Sequence, residues 1–522
     1  MKSRAVFEFG NFQTPAGLAD KVCRQLAARG IRPASVLEPT CGVGRFLVAA
    51  FDHFPSLTKA VGVEVNPQYA ERARSCGAEK GLNGRLNILQ GNLFDMDIRN
   101  LVQSLPEPLL ILGNPPWVTN ADLGSLGSSN LPAKTNFKAH GGLDAMTGKS
   151  NFDVSEWIML RLLECMRGRD AVMAMLCKTA VARKVLLHAW TTDLPISHSA
   201  IYNIDAAAHF GAAVDASLLI VQSAESGDKQ AEVFEDLANS SRPRLMGYHN
   251  GTLLADVDAH ERLKYLQARE PLKWRSGIKH DCSKVMELTR IGERLVNGFG
   301  ETADLEHSYV FPMLKSSDVA SGNTRSISRW MIVPQRTVAE DTAKLEHDAP
   351  RTWAYLSAHR EFLDKRASSI YRGRPPFSIF GVGGYSFSPW KICISGFYKK
   401  LAFTVVGPHC DQPVMLDDTC YFLPCESSEH ARRLGEVLNS RKAAEFFGAF
   451  VFWDAKRPIT SDLLGKLDIA ALAREVLPEE CIEWLTQSNF SRPSGRRPRK
   501  AKKVPTELQL WPGQASTPIT IG

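Results

Sequence analysis

The sequence predicts an α/β fold over its first 225 residues, followed by a smaller helical stretch and a β-rich α+β domain. Three observations predict it. Up to about residue 225, short apolar runs alternate with helical patterns, the mark of a parallel sheet covered by helices. After residue 300, aromatic and basic residues interleave in short β-like runs. A chain of 522 residues is also too long for one ordinary core, so two or more domains are expected.

Each element of the first part has its own signal. "SVLEPT" (35–40) is a short apolar run and predicts a strand, and "GRFLVAAF" (44–51) predicts a helix. "AVGVEV" (60–65) predicts the next strand, and "PQYAERARS" (67–75) a helix with Pro67 at its start, where a missing N–H does no harm. "RLNILQG" (85–91) and "PLLILGN" (108–114) are strands, "VSEWIMLRLLECM" (154–166) an amphipathic helix and "AVMAMLC" (171–177) another strand. "SAIYNID" (199–205) and "ASLLIVQ" (216–222) are expected to be the last two. Between Val118 and Phe152 the chain is rich in Gly, Ser and Asn, which predicts a long loop of the kind that carries function. Residues 226–300 are polar and predict a helical connector, 301–487 the β-rich domain, and 488–522 a basic, disordered tail.

Composition narrows the function classes. Hydrophobic residues at 44% and charged residues at 23% are ordinary values for a folded protein. A formal charge of +7 permits an anionic partner without requiring one. Eleven cysteines without CxxC pairs or His/Cys ligand spacing argue against a zinc site and a disulfide framework, and fit a reducing cytoplasm. The start, "MKSRAVFEFGNFQTP", lacks the apolar core of a signal peptide, and no run is long enough to span a membrane. A cytoplasmic protein without a metal is therefore expected.

The chemistry concentrates at three strand ends. "VLEPTCGVGRFL" (36–47) places Glu38 at a strand end and then turns through Gly42 and Gly44 into a helix, glycines that let backbone approach a ligand closely. The next strand ends in Glu64, and an acid about twenty residues beyond such a turn commonly holds a ribose diol. "LLILGNPPWVTN" (109–120) runs four apolar residues into Gly113 and then Asn114-Pro115-Pro116-Trp117. Two prolines cannot donate to a sheet ladder, so the strand stops there. The stop leaves an amide, a prolyl carbonyl and a large aromatic at the carboxyl end of a strand, where ligands of open α/β sheets bind.

These segments resemble the motifs of adenine-N6 DNA methyltransferases. "FQTP" (12–15), "LEPTCGVGRF", "VGVEVNP", "LQGNLFD" (89–95) and "NPPW" occur in the order called γ, over roughly residues 9–222. The C-terminal half looks like the specificity domain of Eco57I-like and TaqI-like enzymes. The resemblance implies a Rossmann-like, S-adenosylmethionine-dependent methyltransferase domain (1–225) followed by a DNA-recognition domain (301–487). It implies that Thr14 and Pro15 close over the methionine end of S-adenosyl-L-methionine, that Glu38 and Gly42 line its amino-acid portion, and that Glu64 holds the ribose. The family has Asp where this chain has Asn92, which can still accept from the cofactor's adenine amino group; Leu93 would pack on the ring. Asn114 and the Pro115 carbonyl would accept from the amino group being methylated, with Pro116 fixing the turn and Trp117 offering a face to a target base flipped out of the duplex. In "AAAHFGAAVDASLLIV", Phe210 is either a second wall for that base or a core aromatic.

The activity so implied is site-specific DNA adenine-N6 methylation on double-stranded DNA, as the modification component of a restriction-modification or defence system. RNA and protein-glutamine methyltransferases share NPP-aromatic motifs and remain an alternative, as does a non-catalytic DNA-binding protein on the same fold. Few residues precede "FQTP", so a separately encoded restriction endonuclease is expected rather than a fused one. Arg372 and Arg374 precede two prolines in a segment unsuited to a helix interior, so they are candidates to reach DNA. Cys425 of the Pro424-Cys425 pair is expected to be a small buried residue, and "GVGGYSF" (381–387) a hairpin turn. The tail cations Arg496, Arg497, Arg499, Lys500, Lys502 and Lys503 are expected to be solvated, with sequence-independent DNA attraction as a secondary effect.

Overall fold

Strand β4 (Leu109–Gly113) shows why a sheet forms where it does. Leu109 and Ile111 pack into the core on one face, Leu110 and Leu112 into the core on the other, and all four are buried. A strand covered on both faces needs a continuous apolar run rather than an alternating one. Each leucine buried in this way contributes about 1.5–3 kcal/mol. The computed structural model describes residues 13–119, 153–238 and 242–478. Most of the loop expected between Val118 and Phe152, and all of the basic tail expected at 488–522, lie outside the described residues.

Around β4 runs a ten-stranded sheet in the order β10-β9-β8-β6-β7-β5-β4-β1-β2-β3. Its strands are β1 (Ser35–Glu38), β2 (Lys59–Glu64), β3 (Leu86–Gln90), β4, β5 (Ala171–Lys178), β6 (Ile196–Ile204), β7 (Ala216–Ser223), β8 (Gln230–Phe234), β9 (Arg244–His249) and β10 (Thr252–Leu254). The segment from β3 to β5 is parallel throughout, and β7 enters antiparallel between β5 and β6. The helices Ala16–Ala28 and Arg45–His53 cover one face; Val154–Cys165 and Thr179–Thr191 cover the other. This is the expected Rossmann-like α/β fold. Strand order reverses between β1 and β4, which opens a crevice at their carboxyl ends.

The sheet extends further than expected. β6 and β7 are not its last strands, because β8, β9 and β10 add to the β6 edge. Residues 226–300 are therefore not a helical connector; β8 to β10 belong to the first sheet, and β11 to β13 to the sheets that follow. The sequence hid them because they are short and carry polar residues: β8 is "QAEVF", with only Ala231 and Phe234 buried. Such a strand lacks the apolar run that marks a central one.

The C-terminal half contains two sheets. One has the order β11-β19-β16-β17, where β11 is Arg275–Ser276, β16 Trp390–Ser395, β17 Thr404–Val406 and β19 Cys420–Cys425. The other has the order β13-β12-β15-β14-β18, where β12 is Glu287–Ile291, β13 Arg294–Val296, β14 Val310–Leu314, β15 Arg329–Ile332 and β18 Met415–Leu416. Strand pairing thus crosses residue 301, where a boundary was expected. The helices Ser428–Leu438, Arg441–Gly448 and Ile469–Val476 pack on the first of these sheets, giving the expected α+β character. Cys425 is buried, as anticipated. Residues 381–387 form no hairpin: Gly384–Phe387 is a single 3-10 turn, since the strand that follows pairs with β17 and β19 instead. Among the described residues no helix is long and apolar enough to cross a membrane.

The two halves are joined by a largely buried ion pair. Arg183, on the helix after β5, donates to Asp454 Oδ2 at 2.5 Å, and its guanidinium lies 4.6 Å from the Phe452 ring centroid. Nearby, the Ala255 N–H donates to the Ala449 carbonyl at 2.7 Å. Removing one member of a buried pair leaves an uncompensated charge, so Asp454→Ala should destabilise the protein by about 3 kcal/mol. Equilibrium urea unfolding tests this, and Arg183→Met combined with Asp454→Leu should recover most of the loss.

Candidate active site

The crevice at the carboxyl ends of β1 to β4 is a cleft of about 980 Å³. It gathers Thr14, Glu38, Gly42, Glu64, Asn92, Leu93, Asn114 and Pro116, residues separated by up to a hundred positions in sequence. Pro115 and Trp117 are buried beside it. Pro15 caps the helix Ala16–Ala28 just before the cleft wall. Arg372 and Arg374 lie far along the chain, on the C-terminal half, and both are exposed. Sequence reasoning missed Gln13, Thr40, Tyr69 and Phe94, which also line the cleft. Their signal was adjacency to motif residues and nothing more.

The Glu64 carboxylate organises the floor. Its Oε2 accepts from the Gly42 N–H at 2.8 Å, and its Oε1 accepts from the Asn66 N–H at 2.7 Å. Asn66 in turn caps the helix Pro67–Glu79, accepting from the Gln68 and Tyr69 N–H groups. Burial pushes the Glu64 carboxyl above its usual range, although both amide donors oppose the shift. Each oxygen keeps a lone pair for a hydroxyl donor. The glycines differ in purpose. Gly42 has φ +53°, and a side chain there would collide with the Gln13 amide 2.6 Å away. Gly44 has φ +76° and packs against Ala73, so it serves helix packing more than ligand approach.

Glu38 is 3% exposed. Burial pushes its carboxyl well above the ordinary range, and the charge of Glu64 adds to the shift; one backbone donor, the Leu47 N–H, opposes it. Glu38 Oε2 and Thr40 Oγ1 are buried without a hydrogen-bond partner among the described residues, and both residues line the cleft. A buried acceptor pair of this kind suits a ligand that brings an ammonium group, because such a cation would satisfy and ionise the carboxyl at once.

Asn92 accepts from the Phe94 N–H at 3.1 Å, capping the 3-10 turn Leu93–Asp95. One lone pair of its side-chain oxygen is thereby used and the other is left for a donor in the cleft. Trp117 is 6% exposed, and its indole N–H donates to the Leu176 carbonyl on β5 at 3.3 Å. Phe210 meets Trp117 at a centroid distance of 5.2 Å and an interplanar angle of 72°. The two aromatics picked from sequence are thus brought into edge contact, with Phe210 half-buried.

Glu38 also sets a pH dependence. A carboxyl whose folded value is raised favours the protonated native state, so its stabilising effect is full below the ordinary value of 4.5 and is lost as pH rises toward the folded value. Glu38→Gln keeps the shape without the ionisable proton. Its melting temperature should exceed that of the parent by a few degrees at pH 8 and by less at pH 5. Calorimetric scans at the two pH values test the sign; a variant less stable at pH 8 would show that Glu38 is ionised and paired in the native protein.

No protein-family model matches the chain. The Type II methyltransferase M.NspV of Nostoc sp. is 43% identical over 475 residues, covering 90% of this chain and 98% of that protein. The Type II methyltransferase M.XamI of Xanthomonas campestris pv. amaranthicola is 33% identical over 115 residues, covering 22% of this chain and 21% of that protein. Among solved structures, the Type IIL restriction-modification enzyme MmeI in complex with DNA aligns with a TM-score of 0.48 and 15% identity, over 94% of this chain and 70% of that one. On the identity to M.NspV along nearly the full length of both proteins, the chain belongs to the Type II methyltransferases.

Proposed function

We propose that the protein is a site-specific DNA adenine-N6 methyltransferase that uses S-adenosyl-L-methionine, and that it is the modification component of a restriction-modification system with a separately encoded endonuclease. The observation that carries the reading is Asn114-Pro115-Pro116-Trp117 at the end of β4, on the same cleft as Glu38 and Glu64. Its relatives M.NspV and M.XamI, both Type II methyltransferases, support DNA as the substrate.

In the proposed reaction the cofactor supplies a methyl group already activated on a sulfonium, so the protein contributes positioning and electrostatics. Glu38, with Thr40 beside it, receives the cofactor's ammonium and ionises as it does so. Glu64 accepts the ribose hydroxyls while its backbone donors hold it in place. Asn92 accepts from the cofactor's adenine amino group, and Leu93 packs on that ring. An exocyclic adenine amine is a poor nucleophile because its lone pair is delocalised into the ring. The Asn114 side-chain oxygen and the Pro115 carbonyl accept from its two N–H bonds, favour a pyramidal nitrogen and stabilise the positive charge that develops. Trp117, with Phe210 against it, forms the wall on which the flipped base rests.

Labelled cofactor incubated with plasmid DNA, RNA and protein tests the reading, followed by mapping of modified bases. The expected product is N6-methyladenine within one short sequence. Label in RNA, in protein or on cytosine would overturn it. Asn114→Ala should lower methyl transfer on the order of a hundredfold or more, since it removes one transition-state acceptor, while calorimetry shows cofactor binding nearly unchanged.

For sequence recognition we propose the C-terminal half, with Arg372 and Arg374 on DNA. Arg374 lies 5.8 Å from the Phe380 ring centroid, and Arg372 extends into solvent. Cutting the chain at residue 300 would separate β11 from β19 and β12 from β15, so point variants are the cleaner probe. Arg372→Ala or Arg374→Ala should weaken DNA binding. A loss of about 1–3 kcal/mol confined to the preferred sequence marks a base contact, and a uniform loss marks a phosphate contact. Unchanged affinity for all DNA in both variants would remove these arginines from the interface.

A further inference from the structure

A second cleft, of about 1450 Å³, lies where the C-terminal half meets the ends of β5, β6 and β7. Thr179 and Asp215 border it from the first sheet, and Lys399 and Asp454 from the other half. It opens at the same sheet edge as the NPPW motif. Gly113 is in register with Met175 and Lys178 with Ala216, so the strand ends that carry Asn114 and Asp215 lie on either side of the carboxyl end of β5.

Two loops of the C-terminal half come together at this cleft. One is the turn 396–400, "GFYKK", after β16. The other is 452–457, "FWDAKR", which contains Asp454 of the buried ion pair. Arg457 of the second loop lies 4.7 Å from the centroid of Phe397 in the first. Lys399 reaches Asp215 Oδ2 at 3.3 Å, which places the turn directly against the start of β7.

The turn is held firmly while its side chains are left in solvent. Ser395 Oγ accepts from the Phe397 and Tyr398 N–H groups, both at 3.3 Å, and the Gly396 N–H donates to the Thr419 carbonyl at 2.8 Å. A side chain at Gly396 would meet that same carbonyl at 2.9 Å. Phe397 is nevertheless 37% exposed and Tyr398 47% exposed. Lys400, Lys456 and Arg457 are exposed and form no ion pair among the described residues, so the surface around the two aromatics is cationic. The segment that carries Arg372 and Arg374 is linked to this turn through a chain of contacts. Their segment leads to Phe380, which exchanges backbone hydrogen bonds with Lys279, and Lys279 lies 3.7 Å from Asp418, next to Thr419.

Two exposed aromatics on a rigid turn would be a liability in a surface with no partner, and unpaired cations around them exclude a basic or purely apolar one. A duplex offers phosphates for the cations and base faces for the rings. We propose that the turn 396–400 is a wedge that enters the DNA at the target step, with Tyr398 and Phe397 replacing the stacking that the target base gives up when it leaves the helix, and Lys400 and Arg457 clamping the flanking phosphates. The proposal rests on the DNA methyltransferase reading above. A wedge lowers the energy of the opened duplex, so its removal is felt on a paired target and not on one already weakened.

The test uses the full-length protein and two short duplexes carrying the methylated sequence mapped above. In one the target adenine is paired, and in the other it faces an abasic site. Tyr398→Ala should lower kcat/KM about tenfold on the paired duplex and stay within about twofold of the parent on the other. A target replaced by 2-aminopurine should show correspondingly weaker fluorescence enhancement with the variant. Melting temperature and cofactor affinity should match the parent, since the side chain is exposed. Parental rates on the paired duplex, or equal losses on both duplexes, would overturn the wedge while leaving the methyltransferase reading intact. A parental protein that methylates neither duplex would instead overturn the reading beneath it. Lys400→Ala with Arg457→Ala should weaken binding to both duplexes alike and reduce the salt dependence of binding by about one ion for each cation removed; an unchanged salt dependence would remove the clamp.

Discussion

The Glu64 carboxylate ties the site together. It sits at the end of β2 and accepts from backbone N–H groups on both sides: Gly42 in the turn after β1 and Asn66 in the turn after β2. Two connections that would otherwise be independent loops thus share one anion. Gly42 must take a positive φ for its N–H to meet that anion, and Gly44 must do the same to start the next helix against Ala73. The cleft floor is consequently fixed before any ligand arrives, which is the condition for binding groups to act without reorganising. Holding a second carboxyl, Glu38, buried close by runs against stability. Burial raises the proton affinity of Glu38, and the charge of Glu64 raises it further. Such a pair is retained where a ligand's positive charge relieves it.

The Asn114-Pro115-Pro116-Trp117 segment is held by a second set of constraints, on the other wall. The prolines end β4, and the Trp117 indole N–H fastens the segment to the Leu176 carbonyl on β5. Beyond it, Thr119 and Asp153 form an antiparallel bridge. Asp153 is buried, caps the helix Val154–Cys165 through the Ser155 N–H, and pairs with Lys178 at the end of β5 at 2.7 Å. Strand end, bridge and helix start are therefore locked into one unit. In the proposed reaction Asn114 depends on that rigidity, because an acceptor contributes through direction rather than basicity.

The contact between the halves places a cationic, aromatic surface at the edge where the motif emerges. Arg183 and Asp454 are both largely buried, so the pair contributes geometry more than net energy. Its place beside Phe452 holds the loop 452–457, and with it Arg457, at a set distance from the β5 and β7 ends. For a protein proposed to work on a macromolecule, this matters more than extra stability. Residues that read a sequence must keep register with the pocket that receives the target.

The sequence by itself determined the first sheet and its cofactor-type crevice. Continuous apolar runs such as Leu109–Leu112, glycine turns and strand-ending prolines are local signals, and each reports a local physical demand: burial on both faces, a positive φ, or a missing donor. Glu38, Glu64 and Asn114 were legible because they end such strands or follow them directly. β8 to β10 were not, since an edge strand such as "QAEVF" buries few side chains and owes its place to hydrogen bonds with a neighbour. The boundary near residue 301 failed for the same reason, because β11 pairs with β19 and β12 with β15, both beyond that residue. Nor could spacing reveal that the Thr40 hydroxyl would be left buried without a partner among the described residues, that Phe210 would lie against Trp117, or that Lys399 would reach Asp215. Those contacts join residues distant in sequence, and only the packing of complete elements decides them.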